Sequence, residues 1–293
     1  MNGRVCVITG ANSGIGFATA KALVQEGATV VVCARNPERG EQAVERLREA
    51  NPDADIGLQL LDLASLASVR RGAAELLATY PQIHVLINNA GLILGDRRVT
   101  EDGFEATMGT NHLGPFLLTH LLVDRLEANA PARIVNISSV AHAAARRGLD
   151  FDDLHYERRP YASFGAYAAS KLANIYFTVA LARRLEGRGV TVNALHPGVI
   201  RSGFGRDGDT GSFFGTLVKI GGPLLTSPEK GARTSIYLAS SDEVEGISGQ
   251  YFVREKARRP AKIARDEAAA ERLWRISAEA TGVDPDGAVN ATR

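Results

Sequence analysis

Short, unbroken apolar runs, each ending in glycine, amide or hydroxyl residues and each followed by a helical period, constrain this chain more than any other feature. Val5-Cys6-Val7-Ile8, the run from Ala28 to Ala34, Ile56 to Leu61, Val85-Leu86-Ile87, Ile134-Val135-Asn136-Ile137 and Val190 to Leu195 lack the in/out alternation of a half-solvated strand. Both faces of such strands must be buried, and a parallel sheet covered by helices on each side meets that condition. Helical patterns fill the gaps: one through Glu26, one from Pro37 to Ala50 with proline at its start, one from Ser65 to Tyr80, and one bearing Tyr167. The alternation predicts an α/β chain, a doubly wound parallel sheet of about seven strands joined by right-handed crossovers.

In such sheets ligands bind beyond the carboxyl ends of the strands, and the chemistry-bearing residues fall there. After the first strand comes Thr9-Gly10-Ala11-Asn12-Ser13-Gly14-Ile15-Gly16. The glycines allow a tight turn and close backbone approach, and the helix behind them aims free N–H groups at an anion such as a pyrophosphate. This is a Rossmann-type arrangement, although its Gly-x-x-x-Gly-x-Gly spacing differs from the commonest dinucleotide fingerprint. The second strand ends at Ala34-Arg35, where a carboxylate would hold a ribose 2′-hydroxyl. An arginine there favours a 2′-phosphate, so the expected cofactor is NADP(H). Asp62-Leu63 follow the third strand and are placed to cap an adenine, and Asn88-Asn89-Ala90-Gly91 follow the fourth. Ser138-Ser139 end the fifth strand and His196-Pro197-Gly198 the sixth.

Tyr167 and Lys171 stand one helical turn apart on one face, so the phenol and the ammonium share a patch of space. A neighbouring cation stabilises phenolate, which lets a tyrosine exchange a proton with a substrate oxygen. Lowering the phenol by ~3 units requires ~4 kcal/mol. One ammonium does not supply that, so a second positive charge is expected nearby, as an oxidised nicotinamide would provide. The pattern alone is weak, since it arises by chance in roughly one chain in seven of this composition. Its weight comes from the strand-end residues around it.

Composition excludes several classes. A net charge of +1 offers no broad electrostatic footprint for nucleic acid or an anionic membrane. The basic cluster Arg254, Lys256, Arg258, Arg259 and Lys262 lacks interleaved aromatic residues. Cys6 and Cys33 lie in apolar runs and read as buried, reduced thiols, and the six histidines have no metal-ligand spacing. His142, three residues past Ser139, is the one histidine expected to touch a substrate. Residues 1–4 run directly into a strand with no charged leader, and no run approaches the ~20 apolar residues of a membrane helix. A cytoplasmic, unanchored protein is expected.

Two segments break the rhythm: Ala141 to Phe164, rich in arginine, and Gly203 to Thr226, which carries Phe204, Phe213, Phe214 and Leu217. Long irregular segments in a compact domain act as lids or binding loops, so the stretch around 203–226 is expected to close over an apolar substrate. A last helix, from about Arg265 to Thr281, sets Leu273, Trp274 and Ile276 near one face, with Gly282 as its C-cap. The expected organisation is one domain over residues 1–255 and a C-terminal helical extension over 256–293.

Taken together, Thr9-Gly-x-x-x-Gly-Ile-Gly16, Asn88-Asn-Ala-Gly91, Asn111, Ser138-Ser139, Tyr167-x-x-x-Lys171 and Pro197-Gly198 resemble, in order and spacing, the short-chain dehydrogenase/reductase family over about residues 4 to 255. Arg133 to Ser139, Ser170 to Asn174, His196 to Ser202 and the Leu273-Trp274 tail look most like its retinol-dehydrogenase-like branch, with a departure expected from the N-terminal anchor of the membrane-bound retinol enzymes. The resemblance implies an oxidoreductase acting on a small carbonyl or alcohol substrate. It implies Tyr167 as general acid or base, Lys171 tuning it and holding a ribose, Ser139 orienting the substrate oxygen, and Asn111 fixing a water beside Lys171. Gly10, Asn12, Ser13, Gly14, Ile15, Gly16 and Arg35 would hold phosphates. Asp62, Leu63, Asn89, Ala90, Gly91, Pro197, Gly198, Val199 and Ser202 would complete the cofactor site. A homodimer or homotetramer through the helices bearing Phe116 and Tyr167 is also implied. The spacing and length speak against a sugar-nucleotide epimerase or dehydratase, and the complete catalytic set against a non-catalytic NADPH-binding regulator.

Overall fold

Each apolar run becomes a strand of one sheet. The computed structural model describes residues 1–198 and 226–286. Strands β1 (Val5–Thr9), β2 (Thr29–Ala34), β3 (Ile56–Leu60), β4 (Val85–Asn88), β5 (Ala132–Ile137), β6 (Val190–His196), β7 (Tyr251–Val253) and β8 (Lys256–Arg258) lie in the order β3-β2-β1-β4-β5-β6-β7-β8. All neighbours are parallel except β7 and β8. The order reverses at β1, which pairs with both β2 and β4, and this reversal opens a crevice above the carboxyl ends.

Among the described residues the sheet has eight strands, one more than the roughly seven expected. That strand, β8, is short, exposed and basic, features that discourage pairing with another chain at a sheet edge. Arg254 and Glu255 make the two-residue turn before it, both at positive φ, 53° and 62°. The expected boundary between residues 255 and 256 therefore falls inside a hairpin, and the C-terminal segment begins as a strand.

Capping chemistry sets the helix starts. Asn36 accepts a hydrogen bond from Arg39 N ahead of α2 (Pro37–Ala50), and Ser65 accepts one from Ser68 N ahead of α3 (Leu66–Thr79). Helix α1 (Gly14–Gln25) starts directly from the glycine turn. A continuous helical run comprises α4 (Ala106–Met108), a π-helical turn (Gly109–Leu113) and α5 (Gly114–Ala128). Then come α6 (Ser163–Arg184), α7 (Pro228–Ser240) and α8 (Glu267–Thr281), the last closed by Gly282 in the left-handed conformation, as expected.

Alternate residues of β1 enter opposite cores. Val7 joins Leu76, Leu118, Leu172 and Tyr176 beneath α3, α5 and α6, whereas Cys6 and Ile8 join Leu23, Leu47 and Leu238 beneath α1, α2 and α7. Burial on both faces is what the unbroken runs required, at about 1.5–3 kcal/mol per large aliphatic side chain. Burial also pushes the thiols of Cys6 and Cys33 up to about 12, which keeps them protonated and inert. Helix α8 lies on α6 and α5, its buried face formed by Leu273, Trp274, Ser277 and Ala278 with Ile276 only half-buried. Among the described residues no helix is long and apolar enough to cross a membrane.

Candidate active site

The glycine turn is built to leave its backbone bare. Gly10 and Gly14 have φ of 65° and 56°, values that an L side chain rarely adopts. Gly16 is needed for space: a Cβ there would stand 2.4 Å from Gly10 O and 2.5 Å from Asn89 Nδ2. Thr9 locks the turn to the end of β4, its hydroxyl accepting from Asn89 N (2.9 Å) and Ala90 N (3.0 Å), while Asn89 Nδ2 donates to Thr9 O (2.8 Å).

Above this junction a cavity of about 620 Å³ runs along the carboxyl ends of the strands. One end holds Gly10, Asn12, Ser13, Gly14, Ile15 and Gly16, with Arg35, Asn36 and Arg39 beyond β2. Asp62 and Leu63 form a side, and Asn89, Ala90 and Gly91 the middle. Ser139, Tyr167, Lys171, Pro197 and Gly198 line the other end. Of the expected cofactor residues, Val199 and Ser202 lie outside the described residues, as does nearly all of the apolar segment at 203–226.

Lys171 Nζ sits 5.5 Å from the centroid of the Tyr167 ring and donates to Ile137 O (3.1 Å). Ser138 Oγ donates to Lys171 O (2.7 Å), fastening α6 to β5, and Ser139 hydrogen-bonds the Tyr167 phenol. Burial dominates both titrations. It pushes the phenol up to about 12, against the lowering effect of Ser139, and pushes the Lys171 ammonium down to about 8. In the protein alone the lysine therefore does not lower the phenol, which instead keeps its proton at neutral pH.

Asn111 occupies the π-helical turn, a feature frequent at functional sites. Its amide clamps the chain after β4, with Oδ1 accepting from Leu92 N and Nδ2 donating to Leu92 O, both at 2.8 Å, and to Ser170 Oγ at 3.0 Å. A side chain on Gly91 would come within 3.2 Å of Lys171 Nζ and 3.3 Å of Asn111 Oδ1, so glycine keeps that space open.

The expectation for His142 is corrected. Its Nδ1 pairs with Ser139 O (2.6 Å) and its Nε2 accepts from Ala261 N (3.1 Å), so the ring braces the Ser139 loop and does not line the cavity. Sequence reasoning missed Thr9 as a brace, and Leu92, Ile93, Thr110, Val140 and Phe164 as lining residues. Val140 and Phe164 had a legible signal, being apolar residues one after Ser139 and three before Tyr167 in the sequence.

Residues 4–149 and 155–210 match the family model for short chain dehydrogenase. Retinol dehydrogenase 13 of Homo sapiens is 46% identical over 285 residues, covering 96% of this chain and 86% of that protein. A crystal structure of an uncharacterised protein from Mycobacterium Paratuberculosis superposes with a TM-score of 0.78 at 35% identity, covering 97% of this chain and 95% of that one. The RhlG/NADP active-site complex of Pseudomonas aeruginosa gives a TM-score of 0.68 at 28% identity, covering 86% of this chain and 94% of that one. The chain belongs to the short-chain dehydrogenase family, in its retinol-dehydrogenase-like branch. It is thereby an oxidoreductase of the alcohol and carbonyl class.

Proposed function

We propose that this chain is an NADP(H)-dependent oxidoreductase that moves a hydride between nicotinamide and a carbonyl or alcohol carbon of a small apolar molecule, with Tyr167 as the acid and base. The observation that carries this is the single cavity joining the bare glycine turn and Arg35 at one end to Ser139, Tyr167 and Lys171 at the other.

The residues fit a dinucleotide. The turn keeps its backbone bare because Gly16 packs against Gly10 and Asn89 where a Cβ would collide, and among the described residues no carboxylate follows β2 at Ala34-Arg35. Arg35 and Arg39 supply the charge that suits a 2′-phosphate, and the similar RhlG structure is an NADP complex. When bound, the cofactor supplies or accepts the hydride. The chain's residues orient the other partner: Ser139 and Tyr167 present hydroxyls to a substrate oxygen, and the protonated phenol at neutral pH suits proton donation to a carbonyl being reduced. Val140 and Phe164, 54% and 47% exposed, flank those hydroxyls and favour an apolar substrate.

NADPH oxidation by the wild type and two variants, against retinal, aliphatic and aromatic aldehydes, steroid ketones and quinones, tests the proposal. Tyr167→Phe keeps NADPH affinity and loses about 10²-fold or more in turnover. Normal turnover by that variant would overturn the assigned chemistry. Arg35→Glu weakens NADPH far more than NADH, and equal weakening of the two would overturn the cofactor assignment.

A further inference from the structure

Behind the cavity wall, a line of buried polar groups leads from Lys171 away from the cavity to α8. Ile137 O accepts from Lys171 Nζ and from Asn174 Nδ2, both at 3.1 Å. Asn174 Oδ1 and His112 Nδ1 are both buried without a conventional hydrogen bond, and they belong to two side chains that interact with each other. On its other side His112 Nε2 lies 2.8 Å from Ser277 Oγ of α8. His112, Asn174 and Ser277 are 1%, 5% and 0% exposed, and Phe116 and Phe177 pack beside the imidazole with centroids 6.1 and 6.0 Å away.

Asn174 aims its NH₂ at Ile137 O, which leaves Oδ1 as its free acceptor. A proton on His112 Nδ1 complements that acceptor, and Nε2 then accepts from the Ser277 hydroxyl. Every group is neutral until the ammonium, and every donor points toward Ile137 O.

We propose that His112, Asn174 and Ser277 are positioning residues that hold the Lys171 ammonium through Ile137 O, so that α8 takes part in the active site without reaching it. The assignment rests on the role given to Lys171 above. A positioning fault of about 1 Å is enough to cost catalysis, because the reacting geometry tolerates little displacement.

Competitive acylation of the lysines of the full chain with an isotopic anhydride, read by peptide mass spectrometry, follows Lys171 without needing turnover. Exposed Lys21 and Lys230 serve as references, and alkylation of fully buried Cys6 reports general loosening. Ser277→Ala and His112→Phe raise Lys171 acylation by about threefold or more through local opening, with Cys6 unchanged, whereas His112→Asn, which keeps a donor at the Nδ1 position, stays near the wild type. With NADPH and all-trans-retinal, the first two lower kcat about 10-fold at unchanged KM. Unchanged Lys171 acylation in both, Cys6 reactivity rising in step with it, or no rescue by His112→Asn would overturn the relay. A wild type that is inert toward the whole carbonyl panel, with acylation changing as stated, would overturn the proposed function and leave the relay standing.

Discussion

At the scale of single residues, the site holds its key groups in states that the fold does not favour. Lys171 is 3% exposed, and burial takes its ammonium from 10.5 down to about 8. A depressed lysine means that the folded state disfavours the proton. The full cost is present below pH 8 and disappears as pH rises past 10.5. The shift corresponds to about 3 kcal/mol, against about 1 kcal/mol returned by the bond to Ile137 O. Lys171→Met is therefore expected to stabilise the cofactor-free protein at pH 7 by about 2 kcal/mol while abolishing turnover, the trade expected at a functional site. Calorimetry at pH 7 and pH 10.5 checks this: the gain in Tm is present at the first and lost at the second. A lower Tm at pH 7 would show that the lysine supports the fold.

The residues that sequence reasoning found and those it missed differ by how far away their partners lie. The glycines and the Tyr167–Lys171 pair announce themselves within a few positions. Thr9 meets Asn89 and Ala90 across 80 and 81 positions, Lys171 meets Ile137 across 34, and His112 meets Ser277 across 165. Nothing local in a threonine, a histidine or a serine signals such a partner. These contacts exist only because β1, β4 and β5 become neighbours in the sheet and α8 returns to cover α6.

At the scale of elements, the inner strands were legible because their burial on both faces leaves a largely apolar run, whereas the edge strand β3 is only partly buried, with Leu60 exposed. The β7–β8 hairpin was not legible, since β7 and β8 are three residues each and β8 is fully exposed. Its turn is also unusual, with two non-glycine residues at positive φ where asparagine and glycine are preferred. Arg254→Asn with Glu255→Gly removes that conformational penalty and is expected to add about 1 kcal/mol. The change also removes the ion pair between Glu255 and Arg233, but Arg233 is mostly exposed and such a pair contributes little. A higher denaturation midpoint with unchanged slope confirms the gain. A lower one would mean that the ion pair outweighs the turn.

At the scale of the whole molecule, α8 changes which surfaces are open to other chains. The family resemblance implied pairing of copies through the helices that carry Phe116 and Tyr167. In this chain Phe116 is buried against Trp274 of α8, their centroids 4.9 Å apart, and Phe177 stacks on the same indole at 6.2 Å. Arg184 of α6 reinforces the contact, its guanidinium 4.2 Å from the Trp274 ring and paired with Glu271 at 2.8 Å. The chain thus covers with its own helix the part of α5 and α6 that carries Phe116 and Phe177. Trp274→Asp places a carboxylate in this aromatic cluster and is expected to cost about 3–5 kcal/mol, enough to release α8 without unfolding a domain of ordinary stability. Released, the cluster of Phe116 and Phe177 is exposed apolar surface. Light scattering should then show a mass that rises with protein concentration, and a hydrophobic dye should bind, while the far-ultraviolet spectrum keeps its sheet signature. If the variant instead keeps the wild-type mass and dye response at every concentration, α8 is not what closes this face.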